Sequence, residues 1–241
     1  MAKTPHSPQE IFDEFSKELK DIYGQDLKSI ILYGSGAKGD YIPKKSDINF
    51  LVILSEQGIA KLHKSFQLVE KWQKRKVAVP LFMTENYIAS SLDSFPIEFM
   101  SMKQNHKLVY GEDILANIEI MNDDLRLECE VQLKGKLLHL REGFLARTGK
   151  KRLLQELLAI SVPSFTSIFE ALLCLRKENL PSQKVDIFNK TAEVFELDKK
   201  IFESVFSVRT HSSDLSREEL IDLTAKYITE IRKLASIIDK G

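Results

Sequence analysis

The sequence predicts a two-domain α+β/α protein, in which an N-terminal domain with a mixed β-sheet and flanking helices precedes a C-terminal helical bundle. Three observations predict this fold class. Short β-branched apolar runs occur up to Met83, whereas from Asp123 onward apolar residues recur only at helical spacing. The change follows the Gly111-Glu112-Asp113 segment. We therefore expect one domain at residues 1–121 and a second at 122–241.

The first predicted element is a helix. Ser7-Pro8-Gln9-Glu10 offers an N-cap, a proline in the first turn and a glutamate that can close a capping box. Gly24 marks the end of the helix. A second helical pattern covers Ile59–Arg75. Apolar residues lie on one face of the first helix, which is typical of packing against a core: Ile11, Phe12, Phe15, Leu19 and Ile22.

Three apolar runs predict strands. The run Ser29–Tyr33 stops abruptly at Gly34. Residues Ile48–Leu54 are apolar at nearly every position, which indicates a strand that is central in its sheet. A third run, Val77–Met83, contains Pro80. Because proline cannot donate a ladder hydrogen bond, this strand should lie at an edge or carry a bulge.

The second half predicts five helices: Asp123–Arg147, Lys150–Lys177, Gln183–Glu193, Asp198–Val208 and Arg217–Asp239. Pro163 should break or kink the second of these helices. In the last helix, Ser216 and Glu219 form a capping-box pattern. Its apolar stripe should face the core of the bundle: Leu220, Leu223, Tyr227, Ile231, Leu234 and Ile238.

Composition narrows the class of protein. The 35 basic and 35 acidic residues balance, which argues against a general nucleic-acid binder because such proteins carry a basic excess. Cys129 and Cys174 lie in helical patterns without neighbouring metal ligands, as in proteins of a reducing compartment. We find no signal-peptide core and no apolar run of roughly 20 residues. We therefore expect a soluble, cytoplasmic protein.

The most informative segment follows the first strand. After Tyr33 comes Gly34-Ser35-Gly36, where a short helical turn should expose backbone N–H groups that can bind an anion. A glycine at this point lets a phosphate approach the main chain. Asp47 then opens the next strand, and Asn49 follows two residues later. Since side chains alternate along a strand, both point to the same face, beside the turn.

The glycines also allow three other interpretations: a dinucleotide-binding pattern, a phosphate loop and a plain turn. Gly34, Gly36 and Gly39 fit the G-x-G-x-x-G dinucleotide pattern, but only seven residues separate Gly39 from Asp47, too few for a crossover helix. A phosphate loop of the G-x-x-x-x-G-K-[ST] type is absent. The simplest alternative is a glycine-rich turn with Asp47 as a strand cap. The apolar strands on both sides and the Asp-x-Asn pattern favour a functional site instead.

This segment resembles the signature of the polymerase-β-type nucleotidyltransferase superfamily: Gly-Ser, roughly ten residues, then Asp-x-Asp in an apolar strand. The two-domain plan resembles the small-molecule, aminoglycoside-nucleotidyltransferase-like branch. By this resemblance Gly34 and Ser35 hold the triphosphate, Asp47 is the first Mg²⁺ ligand, and the helical domain helps bind the acceptor. The second aspartate of the signature is replaced by Asn49, which brings an oxygen ligand without a charge.

The resemblance also implies a third carboxylate on a neighbouring strand, which this sequence lacks, since residues 76–84 contain no acid. Glu85 and Glu98 are weak candidates for that metal position. Glu85 is equally well explained as a helix-start acid, and Glu98 as a surface residue. Lys45, together with Lys38 and Lys44, is a candidate for attracting the polyphosphate. Basic residues at 71–76 are explained by the helix dipole alone.

The leading functional hypothesis is an enzyme. It would transfer a nucleoside monophosphate from an NTP to a hydroxyl of a small-molecule acceptor, with Mg²⁺ as cofactor and with Asp47 and Asn49 as the catalytic metal ligands. The alternative is a catalytically degenerate module that binds a nucleotide or, like an antitoxin, a partner protein. The expected partners are the NTP and the acceptor, without nucleic acid or membrane. A homodimer is left open.

Overall fold

The fold is taken from a computed structural model, which describes residues 4–210, 212 and 214–240. The chain separates into two compact units, residues 1–120 and 121–241. Each is described by itself below. Whether the predicted domains, 1–121 and 122–241, also fold independently stays a prediction.

The N-terminal unit contains a four-stranded sheet with helices, as predicted. Its strands are β1 (Leu27–Tyr33), β2 (Asn49–Leu54), β3 (Leu81–Met83) and β4 (His106–Gly111). Its helices are α1 (Phe12–Tyr23), α2 (Ser35–Lys38), α3 (Glu56–Ile59), α4 (Phe66–Gln73), α5 (Glu85–Ser91) and α6 (Pro96–Gln104). The first helix ends at Gly24, which has a φ of 52°.

The sheet is mixed, with strand order β3-β2-β1-β4. Strand β1 is antiparallel to both β2 and β4, whereas β2 and β3 are parallel. The predicted central position of β2 and the predicted edge position of the strand around Pro80 are both confirmed. This edge strand is shorter than the apolar run that predicts it. Only residues 81–83 form a strand, and Val77 makes an isolated bridge to Ile48.

Three features of this unit differ from the sequence-based expectation. The helix predicted at Ile59–Arg75 is shorter, since α4 covers only Phe66–Gln73 and follows a 3₁₀ turn at Leu62–Ser65. Strand β4 was not predicted, because its residues are mostly half-exposed and show no apolar alternation. Its last residue, Gly111, has a φ of 79°, and a Cβ there would lie 1.9 Å from the carbonyl oxygen of Lys28. The predicted capping box at Ser7 is also wrong. The Glu10 carboxylate accepts a hydrogen bond from the backbone N–H of His6 at 3.2 Å instead.

Each face of the sheet carries its own core. On one face Phe15 of α1 stacks on Phe50 of β2 at 4.4 Å and meets Trp72 of α4 edge-on at 5.3 Å. The indole of Trp72 donates a hydrogen bond to Glu18 at 3.0 Å, which holds α4 against α1. The other face is covered by α5, α6 and the segment after β4, through a second cluster: Ile31, Leu51, Ile53, Ile88, Phe99, Met102, Leu115 and Ile118.

The C-terminal unit is helical throughout the part that the structure describes. Its helices are α7 (Asn122–Ala146), α8 (Lys151–Leu175), α9 (Lys184–Val194), α10 (Lys199–Arg209) and α11 (Arg217–Lys240). The capping box at the start of α11 is confirmed. Ser216 N–H donates to Glu219 at 2.7 Å, and Glu219 N–H donates to the Ser216 hydroxyl at 3.2 Å. The stripe predicted for α11 is buried at every position.

Helix α8 forms the centre of this unit. The break predicted at Pro163 is wrong, since α8 continues through it. Pro163 itself is exposed, and the buried neighbours Val162 and Phe165 hold the helix in place on its inner side. By length and composition α8 could cross a membrane, but 61% of its most apolar window is buried within the structure, as in the core helix of a globular protein.

Candidate functional site

The candidate site begins where β1 ends. Gly34 has φ 71° and ψ −149°, a conformation that is essentially restricted to glycine. It opens the one-turn helix α2, in which the N–H groups of Ala37 and Lys38 both donate to the Gly34 carbonyl at 3.0 Å. Gly39, with a φ of 92°, ends this turn. The chain thus makes the short helical turn that the sequence predicts.

Asn49 lies directly beside the turn. It pairs with Tyr33, the last residue of β1, and its side-chain nitrogen is 3.4 Å from the point where a Cβ on Gly34 would stand. A side chain at position 34 would therefore touch this amide, and it would strain the backbone. The structure therefore places Asn49 beside Gly34 at the start of the turn.

Asp47 precedes β2 and has an exposed carboxylate, with 57% of the side chain accessible. Its Oδ1 lies 3.8 Å from Nζ of Lys76. Backbone contacts fix both residues, because Ile48 N–H donates to the Lys76 carbonyl at 2.8 Å. Burial, with smaller contributions from the charges of Glu10 and Asp47, raises the pKa of the nearby Tyr41 hydroxyl. The first predicted metal ligand is thus paired with a lysine.

Lys45 belongs to a compact loop between the turn and β2. The loop is closed by Ser46, whose N–H donates to the Ile42 carbonyl at 2.8 Å and whose hydroxyl accepts from the Ile42 N–H at 3.0 Å. Lys44, at φ 68°, and Lys45 are both exposed on it. The local charge is positive, because residues 34–49 together with Lys76 contain four lysines and two aspartates, a net charge of +2.

The structure does not bring Glu85 to this site. Residue pairing places Met83 opposite Ile53, so Glu85 lies beyond the far end of β2. Four residues separate Ile53 from Asn49, about 13 Å along the strand. The neighbouring Asn86 donates to Glu56 at 3.2 Å, which also belongs to that far end.

Glu98 is exposed in the first turn of α6. The opposite end of this helix leads to His106, which pairs with Tyr33 next to the candidate site. Glu98 lies six residues before the last helical residue, about 9 Å along the axis. The structure therefore gives no support to Glu98 as a third ligand.

The resemblance implies Mg²⁺, and the donor set can be tested against that ion. Among the described residues, no group of three or more His, Cys, Asp or Glu side chains is arranged to hold a metal. The site offers one carboxylate, that of Asp47, and one amide. Hard divalent cations in two-metal sites are held by several oxygens that include multiple carboxylates. The residues present therefore do not fit a two-metal centre.

His106 is a polar residue of this region that the sequence analysis missed. It lies at the start of β4 opposite Tyr33, which places it in one row with Asn49 across three strands. Its Nδ1 is 2.8 Å from the Lys103 carbonyl, and its Nε2 is 2.9 Å from Asp113. Through these two contacts His106 fixes the start of β4. No motif in the sequence signals this contact.

Comparison with known proteins defines the class. The sequence profile of the nucleotidyltransferase domain family matches residues 12–107, which include the turn, Asp47 and Asn49. This match supports the resemblance to the nucleotidyltransferase superfamily for the N-terminal part of the chain. No curated protein sequence matches the chain significantly.

Among solved structures, the chain is similar to a spectinomycin adenyltransferase from Enterococcus faecialis, crystallised with ATP and spectinomycin. The TM-score is 0.54 at 14% sequence identity, and the match covers 93% of this chain and 99% of the other. The likeness extends through the helical half and confirms the predicted fold class. At this identity it shows the fold alone.

Proposed function

We propose that this protein binds a nucleoside triphosphate through its nucleotidyltransferase domain, with the phosphates at the Gly34-Ser35 turn. The observation that supports this most directly is the packing of the Asn49 amide against Gly34. Because Gly34 has no Cβ, its main chain is open to a ligand while a polar side chain lies beside it. Phosphates bind at such turns through backbone N–H groups and hydroxyls. Ser35 would supply the hydroxyl, and Lys45 a positive charge.

A second candidate function is the transfer of a nucleoside monophosphate to a hydroxyl of a small molecule, with release of pyrophosphate. It is favoured by the similar structure, which is an adenyltransferase bound to ATP and to a small-molecule acceptor, and by the extension of that likeness over the helical half. The candidate site lacks the second and third carboxylates of the signature among the residues that the structure describes, and this weighs against transfer. For that reason binding is the leading proposal.

Titration calorimetry with ATP, GTP, CTP and UTP on the full chain tests the binding proposal. Gly34→Ala should weaken binding, because a Cβ strains the backbone at this φ and ψ and lies against the Asn49 amide beside the phosphates. Gly39→Ala is the control for a Cβ at positive φ. Gly39 lies in the left-handed region, with φ 92° and ψ 4°, and its Cβ would meet nothing within 4 Å. Ser35→Ala, which removes one hydrogen bond, should weaken binding about three- to tenfold.

The result contradicts the proposal if no triphosphate binds the wild-type protein, or if Gly34→Ala and Gly39→Ala bind equally. Transfer is tested separately by pyrophosphate release with ATP, Mg²⁺ and a panel of polyhydroxylated acceptors. If the second candidate is right, wild type releases pyrophosphate and Asp47→Asn does not. Binding without release in every combination leaves the protein as a nucleotide-binding module.

We also propose a cytoplasmic location, on the ground that neither Cys129 nor Cys174 forms a disulfide, as is usual in a reducing compartment. Homodimer formation stays a prediction, which sedimentation equilibrium would test.

A further inference from the structure

Four basic residues lie at or just after the end of α4, and they do not all pair with the same kind of partner: Lys71, Lys74, Arg75 and Lys76. The first three pair with glutamates. Lys71 and Arg75 contact acids of α1, and Lys74 contacts an acid one turn earlier in α4 at 2.8 Å. Lys76 instead approaches the candidate site, with its Nζ 3.8 Å from Asp47. The helix dipole explains a basic cluster, but it does not explain why this one member is aimed at Asp47.

The neighbouring chain segment shows what accompanies this lysine. Between the bridge at Val77 and strand β3, residues 78–80 run beside β2, and Ala78 N–H donates to the Ile48 carbonyl at 2.9 Å. Val77 is buried in the core on the α1 and α4 side. Because side chains alternate, Ala78, directly after the bridge, points to the face that carries Asn49. That face therefore presents a small residue where the resembled family has a carboxylate.

The charge of the site follows from these substitutions. A two-metal site needs several carboxylates to hold its cations, and the cations in turn offset the charge of the triphosphate. Here one carboxylate remains and is paired with Lys76. Residues 34–49 and Lys76 together carry a net charge of +2, in a chain whose net charge is zero. A positive site attracts a polyphosphate directly and repels a free divalent cation.

We infer that this site binds the polyphosphate of its nucleotide without a divalent metal, with Lys76 and the loop lysines Lys44 and Lys45 in the electrostatic role of the metal ions. The inference rests on the proposed function, because it concerns the same nucleotide. Asp47 is then not a metal ligand, and its carboxylate competes with the phosphates for the Lys76 ammonium. A lysine can serve phosphates in this way as a point charge on a flexible stem.

The test measures ATP binding to the full chain by titration calorimetry, once with EDTA and once with excess Mg²⁺. We expect dissociation constants that agree within about threefold. Lys76→Asn should weaken binding about tenfold or more, because a charged hydrogen bond is lost. Asparagine tolerates the φ of 66° at this position, so the fold should survive. Lys74→Asn, in the same helix end, is the matched control and should bind as wild type does.

A second variant, Asp47→Asn, should change ATP affinity in the opposite direction. Asp47→Asn removes a negative charge and frees Lys76, so ATP binding in EDTA should tighten. If Asp47 were instead a metal ligand, the same change would weaken binding and only the Mg²⁺ titration would show it. Binding that disappears in EDTA, or a Lys76→Asn protein with wild-type affinity, overturns the metal-free inference and leaves the proposed function standing. Absence of ATP binding under both conditions refutes the proposed function itself.

Discussion

Restoring the missing acid by Asn49→Asp provides a sharp test of the site's electrostatics. The substitution is nearly isosteric, so packing against Gly34 should be retained while a charge is added. Residues 47 and 49 lie two positions apart on one strand face, about 7 Å. Two negative charges at that distance repel by about 0.6 kcal/mol in water and about 2.4 kcal/mol at an effective dielectric constant of 20.

The exposure of Asp47 and its pairing with Lys76 place the expected repulsion in the lower part of that range. We expect a destabilisation of about 1 kcal/mol without metal, which lowers the melting temperature of a domain of this size by about 4 °C. With two carboxylates on one face, the variant should gain a cation site. Mg²⁺ at tenfold its dissociation constant would then stabilise the folded state by about 1.4 kcal/mol.

The assay is thermal unfolding followed by the fluorescence of Trp72, the only tryptophan of the chain, in EDTA and over a series of Mg²⁺ concentrations. Wild type should be insensitive to Mg²⁺, and Asn49→Asp should be stabilised by it. The double variant Asp47→Asn/Asn49→Asp, which again has one carboxylate, should behave as wild type does. Equal Mg²⁺ responses in wild type and Asn49→Asp would refute the reasoning, whether the shared response is large or zero.

Four further outcomes are expected. Gly111→Ala should unfold the sheet or abolish soluble expression, because its Cβ would overlap a carbonyl oxygen at 1.9 Å. Gly135→Ala should be tolerated, since a Cβ there meets nothing within 4 Å. Circular dichroism distinguishes the two outcomes. Glu230→Ala should lower the free energy of unfolding by about 1–3 kcal/mol in urea titrations, because the buried carboxylate accepts the Asp198 N–H at 2.9 Å. Burial raises the pKa of Cys129 to about 12, so iodoacetamide at pH 8 should modify this thiol only after unfolding. If the two units fold independently, Trp72 fluorescence and helical circular dichroism should report different melting temperatures, and coincident transitions would contradict this.

The sequence predicts the parts of the fold that local patterns specify. Apolar periodicity and a capping box predict helix α11. A continuous apolar run predicts the central strand β2. Strand β4 could not be predicted, since pairing with β1 and the conformation of Gly111 create it, and neither is a local property of residues 106–111. Pro163 gives the opposite case, in which a local sequence signal predicts a helix break that the structure does not have. A helix-breaking residue is tolerated where it faces solvent and tertiary packing holds the inner side of the helix.

The candidate site divides in the same way. Its centre, with Asn49 beside Gly34, follows from the glycine turn and the spacing of the motif. The positions of Glu85 and Glu98 do not follow, because they depend on strand register and helix direction rather than on distance in sequence. Lys76 was interpreted as part of a helix-end basic cluster. Its approach to Asp47 becomes visible only when the chain after α4 is seen to run beside β2.

The same segment explains why the third acid could be lost together with the second. Pro80 removes a ladder donor, so β3 shortens to residues 81–83 and leaves a loosely paired stretch beside Asn49. A carboxylate on such a stretch would be held less firmly than one on a regular strand. Because position 49 is an uncharged asparagine, such a carboxylate would also bind a metal ion less strongly. Substituting only one of these positions would leave an incomplete metal site. Lys76 then pairs with Asp47, the one acid that remains of the signature.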